Sequence, residues 1–349
     1  MKGRGAPNNP QPRYNRYSRE DTDGDEFDRE LGGRMSTSVV EETARTIISR
    51  NSSPDIAFEQ SINTYRGCEH GCIYCYARPS HAYLGLSPGL DFETRLFSKH
   101  NSADLLRQEL AKKGYVCKPI ALGANTDPYQ PIERDRRLTR RILEVLLECR
   151  HPVTITTKSA LIERDLDLLA IMAEKRLVQV QISLATLDRN LARLLEPRAT
   201  APERRIRTIS CLSQTGIPVT VLIAPVMPFL TDHELEALIQ QAAVAGAARA
   251  DYILLRLPLE LKELFADWLE VHYPEKRQHV LSLLSQMHGG KLYDCEFVHR
   301  QSGSGLFAEL LRQRFRLAIK RNRLTHQILA LDCGQFIPPR LDPRQLSLF

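Results

Sequence analysis

The 349-residue sequence lacks the features that would place it in a membrane or outside the cell. It has no apolar run approaching the roughly 20 residues that a membrane-spanning helix needs. No apolar stretch follows its basic first residues, so no secretory signal is predicted. Eight cysteines are too few for a disulfide scaffold in a chain of this length. We therefore expect a cytoplasmic protein, in which clustered cysteines indicate metal binding or catalysis.

The composition is that of an ordinary globular protein with a basic excess. Hydrophobic residues make up 42% and charged residues 26% of the chain, whose net charge is +6. Two basic segments, 1–20 and 310–327, could follow a phosphate backbone, which predicts DNA or another nucleic acid as a partner. The alternative is a disordered arm and one solvated helix face.

Apolar and amphipathic stretches alternate through the middle of the chain. Helices are predicted over 104–115, 138–150, 165–177, 202–216 and 232–247, and strands over 118–127, 151–159, 178–188, 217–228 and 250–258. The spacing of roughly 30 residues from strand to strand is that of βαβ units in a parallel sheet. With a further strand before the cysteines, this predicts an α/β fold, an incomplete (β/α)6 barrel. A doubly wound open sheet is the alternative.

Composition divides the chain into four predicted parts. Residues 1–40, rich in Gly, Pro, Asn and Arg, are predicted to form a flexible basic arm, and 41–262 the partial barrel. A mostly helical basic region over 263–340 and a flexible tail over 341–349 follow. In either candidate fold the chemistry belongs at the carboxyl ends of the strands, where polar side chains collect.

Three cysteines, Cys68, Cys72 and Cys75, lie within eight positions in "GCEHGCIYCYAR". The spacing C-x3-C-x2-C in a glycine-flanked loop suits three ligands of an iron–sulfur cluster, which normally has four cysteines. A zinc site completed by His70 is an alternative, although His70 lies two residues from both Cys68 and Cys72. A redox pair of Cys72 and Cys75 would leave Cys68 unexplained.

The cysteine loop resembles that of the radical S-adenosylmethionine (radical SAM) superfamily. The stretches "ALGANTDPYQPIE", "TITTKS", "ISLATLD", "LEPRATAPERRIRTI" and "VLIAPVMP" are similar to its DNA-repair-photolyase-like branch, which contains spore photoproduct lyase. The resemblance implies a radical SAM barrel and a [4Fe-4S] cluster on Cys68, Cys72 and Cys75. It further implies reductive cleavage of SAM to a 5′-deoxyadenosyl radical, with an electron donor such as flavodoxin or ferredoxin.

The resemblance also implies which residues bind SAM. Tyr74 matches an aromatic residue beside the adenine, Lys158 a lysine near the SAM carboxylate, and Ser183 a ribose or carboxylate contact. Thr126 and Asp127 match positions that bind the amino group or ribose. Arg204 or Arg205 would pair with the carboxylate, and Ala224 would offer backbone groups to the adenine. The expected SAM contacts are thus Tyr74, Thr126, Asp127, Lys158, Ser183, Arg204 and Ala224.

One position departs from the family pattern. Spore photoproduct lyase has a cysteine that returns a hydrogen atom near the end of the strand where this chain has Asn125. Cys117 is eight residues upstream, at the far end of that strand, and is a poor substitute. Unless Tyr76, Tyr129 or another thiol is the donor, direct lysis of a thymine dimer is not expected.

The final residues, "PRQLSLF", resemble the short peptide with which bacterial repair proteins dock into the sliding clamp. Gln345, Leu346, Leu348 and Phe349 would supply one amide and three apolar anchors to a preformed groove. The alternative is that the three apolar side chains pack the terminus onto the domain.

The sequence as a whole predicts a radical SAM enzyme acting on damaged or modified DNA. Radical modification of RNA or protein, and a zinc-binding nucleic-acid module, are the alternatives.

Overall fold

The structure is a computed structural model that describes residues 3–14, 36–297, 299–327 and 329–340. Within them the strands are β1 (Ser38–Glu42), β2 (Ile48–Arg50), β3 (Gln60–Ile62), β4 (Tyr65–Arg66), β5 (Arg95–Lys99), β6 (Ile120–Leu122), β7 (Val153–Thr157), β8 (Val178–Ser183), β9 (Val219–Val226) and β10 (Arg249–Leu254).

The helices of the described residues mostly follow the strands of the barrel. They are α1 (Asp91–Thr94), α2 (Ser102–Leu110), α3 (Glu133–Arg136), α4 (Leu138–Glu148), α5 (Leu166–Glu174), α6 (Arg189–Leu195), α7 (Pro202–Gln214), α8 (Leu235–Val244), α9 (Leu261–His272), α10 (Pro274–Met287) and α11 (Gly305–Arg321). Short 3₁₀ helices span Arg78–Leu84, Ala160–Asp165, Asp232–Glu234 and Cys333–Gln335. No helix in the described ranges is long and apolar enough to cross a membrane.

Seven strands form the main sheet in the order β10-β9-β8-β7-β6-β3-β2. The six from β3 to β10 are parallel, and β2 is antiparallel to β3 at one edge. The spatial order follows the chain order without reversal, as in a (β/α) barrel and unlike a doubly wound sheet. The predicted incomplete (β/α)6 barrel is therefore confirmed, and its helical C-terminal region is present.

The core of the barrel is built from alternate strand residues and the inner faces of the helices. Val153 and Ile155 of β7, Val180 of β8 and Val221 of β9 are fully buried, as is Ile142 of α4. Parallel strands covered by helices read as apolar runs, which is why these strands were visible in the sequence.

A second apolar cluster fixes the cysteine loop to the barrel. Ile73 and Tyr74 of that loop pack with Leu195 of α6 and with Phe265 and Trp268 of α9. The amide of Ile73 donates to the carbonyl of Leu195 at 3.0 Å. The C-terminal helices therefore take part in holding the loop.

The sequence did not predict the small sheet of order β1-β5-β4 beside the loop.

The prediction of a flexible arm over 1–40 does not hold throughout. Residues 3–14, called here the N-terminal strap, pack against the cysteine loop. Gly5 and Ala6 are buried within it. The basic residues Lys2, Arg16 and Arg19 lie outside the described residues.

Candidate active site

The cysteine loop, residues 67–78, consists of successive tight turns. The amide of Gly71 donates to the carbonyl of Cys68 at 3.3 Å, and that of Cys75 to the carbonyl of Cys72 at 3.2 Å. Gly71 has a φ of +66°, and a Cβ there would lie 2.6 Å from Oε2 of Glu93. Glycine is therefore required at this position, both for its backbone conformation and for the approach of the carboxylate.

A buried ion pair lies directly beneath the loop. Arg78 and Glu93 are both fully buried, with Nη2 of the guanidinium 2.5 Å from Oε1 of the carboxylate. Nε of Arg78 donates to the carbonyl of Cys72 at 2.8 Å, and Nη2 to that of Gly71 at 3.0 Å. Nη1 donates to the carbonyl of Gly89 at 2.8 Å. One side chain thus ties the turn between two cysteines to the segment that leads into α1.

The N-terminal strap closes over the same carboxylate. The amides of Gly5 and Ala6 donate to Oε2 and Oε1 of Glu93 at 3.0 and 2.8 Å. Arg13 anchors the far end of the strap through a paired contact with Glu260 of 2.6 and 2.8 Å. A Cβ on Gly5 would lie 1.8 Å from the carbonyl oxygen of Gly71, so backbone meets backbone at the cysteine loop.

Gly5→Ala is expected to push the strap off the cysteine loop, because the added methyl group meets backbone that cannot rotate away. Overpacking of this kind costs about 1–3 kcal/mol. We expect the variant to bind less iron after anaerobic reconstitution and to lose it faster, measured as iron per chain and absorbance at about 400 nm. Gln11→Ala, an exposed position in the same strap, is the control. Equal iron retention in the two variants would show that the strap does not support the loop.

The three thiols share one environment. Cys68 and Cys72 are each 7% exposed, and Cys75 packs against both of their apolar clusters. Burial raises the pKa of Cys68 and of Cys72, and the charge on Cys75 raises both further. The backbone amides of Asp127 and His70 act in the opposite direction on Cys68. Sulfur ligands in an apolar pocket with backbone donors suit a thiolate-bound iron–sulfur cluster.

The zinc alternative needs His70 as a fourth ligand beside the three thiols. Among the described residues, no three His, Cys, Asp or Glu side chains are placed to hold one metal ion. Three ligands of a [4Fe-4S] cluster bind three different irons and so lie farther apart than ligands of one ion. His70, the fourth ligand of the zinc alternative, has Nδ1 3.3 Å from Oδ2 of Asp127 instead.

Four of the predicted SAM contacts, Tyr74, Lys158, Ser183 and Ala224, meet at the carboxyl edge of the sheet. Nζ of Lys158, after β7, donates to Oγ of Ser183 at 3.1 Å, and that hydroxyl donates to the carbonyl of Ala224 at 3.2 Å. The ammonium of Lys158 also lies 5.8 Å from the ring centroid of Tyr74. A cation, a hydroxyl and an aromatic face therefore lie together beside the cysteine loop.

A buried chain of polar side chains supports this group from behind. The hydroxyl of Tyr74 donates to Glu196, whose other oxygen accepts from Nη2 of Arg205. Nη1 of Arg205 donates to the carbonyl of Ser183 at 2.9 Å. Glu196 and Arg205 are 3% and 2% exposed, so the pair is removed from water. The sequence did not single out Glu196, which joins the cysteine loop to β8.

The carboxylate of Asp127 is engaged in hydrogen bonds that join the ends of neighbouring strands, so it is not free to accept from a ligand. It accepts from the amide of Lys158 at 2.8 Å and from Oγ1 of Thr157 at 2.7 Å. Burial favours the neutral form, but His70, Thr157 and the amide of Lys158 outweigh it and lower the pKa of Asp127 to about 2. Thr126 is likewise engaged, since its Oγ1 donates to the carbonyl of Tyr65 at 3.3 Å.

Arg204 is not brought to the other predicted contacts. Its guanidinium makes a paired contact with Glu163 at 2.6 and 2.7 Å and a contact with Thr208 at 3.2 Å. Arg205, its neighbour on α7, is the arginine that reaches Ser183. Binding of SAM by Arg204 stays a prediction, and the hydrogen bonds of Arg204 to Glu163 and Thr208 do not support it.

The candidate hydrogen donors lie in different places. Tyr76 is 47% exposed, its hydroxyl donates to the carbonyl of Ala124, and Arg256 stacks over its ring at 4.9 Å. Cys117 precedes β6 and interacts electrostatically with Cys333. Tyr129 is fully buried and donates to Asp165 at 3.1 Å. Only Tyr76 of these three lies in the cysteine loop and is exposed to solvent.

The fold and the site define a class of protein, an iron–sulfur protein with a partial barrel. The sequence model of the radical SAM superfamily matches residues 62–242, more than half of the chain. The chain therefore belongs to the radical SAM superfamily, whose members use a [4Fe-4S] cluster and SAM, and the predicted cofactors are confirmed.

Curated relatives of similar sequence are described only as uncharacterized. An uncharacterized protein of Mycobacterium tuberculosis is 39% identical over 222 residues, which are 63% of this chain and 65% of the relative. One of Methanocaldococcus jannaschii is 30% identical over 217 residues, 61% of this chain and 76% of the relative. The chain thus spans just under two thirds of the length of the mycobacterial relative.

Among solved structures, spore photoproduct lyase complexed with dinucleoside spore photoproduct matches with a TM-score of 0.53 at 15% identity. The match covers 81% of this chain and 79% of that one. A variant of the same enzyme with bound AdoMet and the dinucleoside gives the same TM-score at 16% identity. At this identity the likeness shows a shared fold. The predicted relation to spore photoproduct lyase is therefore confirmed for the fold.

Proposed function

We propose that this chain is a radical SAM enzyme that acts on nucleic acid, with damaged or modified DNA as the favoured substrate. The observation that carries the proposal is the set of three cysteines, two of them buried and Cys75 half-buried, beside the Lys158–Ser183 pair at the carboxyl edge of a radical SAM barrel. When bound, the cluster and SAM supply an electron and a 5′-deoxyadenosyl radical. The protein's part is to position SAM and exclude water.

We assign SAM binding to the polar groups that converge at this edge. Lys158 and Ser183 offer an ammonium and a hydroxyl to the SAM carboxylate, while Tyr74 presents its ring nearby. Arg205 and Glu196 act as positioning residues because they hold Tyr74 and the carbonyl of Ser183. Asp127 fixes the ends of β6 and β7 through His70, Thr157 and Lys158.

The substrate class comes from the structural relative and from the charge of the chain. Spore photoproduct lyase is seen with a dinucleoside photoproduct, and the net charge of +6 suits a polyanion. Asn125 follows β6 where a donor cysteine would stand, so we propose a reaction other than direct thymine-dimer lysis. The reductant, a flavodoxin or ferredoxin, and a cytoplasmic location belong to the same proposal.

The experiment that tests the proposal is the formation of 5′-deoxyadenosine. The protein would be reconstituted anaerobically with iron and sulfide, reduced, and given SAM alone, with UV-irradiated DNA, with undamaged DNA or with tRNA. We expect product to rise with irradiated DNA. A rise with tRNA alone would move the substrate to RNA. No product from a fully loaded cluster would contradict an enzymatic function and favour a binding module.

Docking to the bacterial sliding clamp is a separate proposal, which rests on Gln345, Leu346, Leu348 and Phe349 in the tail beyond the described residues. Deleting 345–349 is expected to abolish capture of the protein on immobilised clamp, because one amide and three apolar anchors are removed together. Cleavage of SAM without substrate should be unchanged. A tail with the same five residues scrambled is the control. Clamp capture by the truncated protein would refute the proposal.

A further inference from the structure

A cleft of about 530 Å³ opens next to the candidate active site. It lies between the β1–β2 connection, the small sheet and the ends of β3 and β6. Asn125 and Asn63 form its inner wall. Oδ1 of Asn63 accepts from the amides of Asn125 and Thr126 at 3.0 and 3.3 Å. The cleft is therefore continuous with the carboxyl edge of the sheet, where SAM is proposed to bind.

The charged side chains that line the cleft are unbalanced. They are three cations, Arg45, Arg66 and Lys99, and one carboxylate, Glu42. Arg66 occupies both oxygens of Glu42 in a paired contact of 2.8 and 2.8 Å. The single carboxylate of the cleft is thus already engaged, and two positive charges remain in its lining.

Within the part of the chain that the structure describes, the side chains of Lys99 and Arg45 make no hydrogen bond or ion pair. Lys99, at the end of β5, is half-buried. Burial and the charge of Arg66 lower its pKa, while Glu42 acts in the opposite direction. Because Glu42 is paired with Arg66, the partly buried ammonium of Lys99 has no ion pair of its own, and an anion in the cleft would stabilise it.

The remaining lining groups suit an oxyanion. Neutral donors add to the cationic ones. They are the hydroxyls of Thr43, Thr46 and Ser49 and the side-chain amide of Asn125. Hydroxyl, amide, guanidinium and ammonium groups together are what proteins use to hold phosphate oxygens. The cleft also borders Arg66, two residues before Cys68, so its ligand would lie next to the cysteine loop.

We propose that this cleft binds a phosphodiester of the nucleic-acid strand whose reacting nucleotide enters the mouth of the barrel. The proposal rests on the proposed nucleic-acid substrate and adds where the backbone is held. Lys99 and Arg45 position the strand and take no part in the cleavage of SAM.

The test compares wild type with Lys99→Met, Arg45→Ala and the double variant. Binding of a fluorescein-labelled single-stranded oligonucleotide is followed by anisotropy over a range of salt concentrations. We expect about tenfold weaker binding in the double variant at low salt, and a salt slope shallower by about 0.7 for each phosphate that is no longer neutralised. Lys113→Met, an exposed lysine beyond α2, removes the same charge outside the cleft and should bind like wild type. Substrate-independent formation of 5′-deoxyadenosine should be equal in all variants.

The outcomes separate this proposal from the proposed function. If wild type binds the oligonucleotide and the double variant binds it with the same affinity and salt slope, the cleft is not the phosphate site, while the nucleic-acid function stands. If wild type binds no oligonucleotide and its turnover does not respond to DNA or RNA, both proposals fall. A melting temperature raised by inorganic phosphate in wild type but not in Lys99→Met, without oligonucleotide binding, would make this a free-phosphate site and overturn the strand-binding proposal.

Discussion

Replacing Cys72 with alanine is expected to abolish both the iron–sulfur cluster and all formation of 5′-deoxyadenosine. Cys72 lies between the other two cysteines and is 7% exposed, in a turn that Arg78 holds from below through the carbonyl of Cys72. No other thiol of the loop should replace it, because Cys68 and Cys75 are each proposed to bind an iron of their own. The measurement is iron and sulfide per chain after anaerobic reconstitution, together with product formation.

The control for Cys72→Ala is Cys295→Ala. Cys295 is exposed and lies outside the cysteine loop. Its loss should leave iron content and product formation at the level of wild type. A Cys72→Ala protein that remains brown with full iron would contradict the ligand assignment. A colourless wild-type protein that binds stoichiometric zinc would instead favour the zinc alternative, since iron–thiolate charge transfer gives colour and zinc does not.

The sequence was informative wherever function or burial leaves a local pattern. The spacing of Cys68, Cys72 and Cys75 marks the loop, and the apolar runs of β7 to β9 mark the sheet. The pattern also puts Lys158 and Ser183 at the ends of neighbouring parallel strands, which meet at the same edge of a sheet, whereas their role in SAM binding was implied by the family resemblance. These predictions depend on spacing and periodicity, which are properties of short segments.

The parts that could not be predicted depend on contacts between distant segments. Arg78 is one of 48 lysines and arginines, and nothing in its neighbours marks it as buried. Glu196 meets Tyr74 across 122 positions of the chain. The N-terminal strap is rich in Gly, Pro and Asn, which predicts flexibility. It is held by backbone amides donating to Glu93 and by the close approach of Gly5 to Gly71, and neither leaves a hydrophobic pattern.

Arg78→Met is expected to cost about 3–5 kcal/mol of stability, because it leaves the carboxylate of Glu93 buried without its cationic partner. It also removes the donors to the carbonyls of Gly71, Cys72 and Gly89. Arg78→Lys should recover little, since a single ammonium cannot reproduce the planar fork of the guanidinium. The free energy of unfolding would be measured for the apo-proteins by urea denaturation under anaerobic conditions.

Arg95 is the control for Arg78, because replacing it removes the same charge from an exposed position. Arg95 lies in β5, its side chain is 56% exposed, and its guanidinium is 4.0 Å from Asp91, so Arg95→Met should cost no more than about 1 kcal/mol. The double variant Arg78→Met/Glu93→Gln should regain part of the loss, because it no longer buries an unpaired charge. Equal destabilisation by Arg78→Met and Arg95→Met would show that the buried pair does not support the loop. Amide hydrogen exchange over residues 67–78 gives a second measurement: protection there should fall in Arg78→Met and persist in Arg95→Met, because only the buried arginine holds the carbonyls between the cysteines.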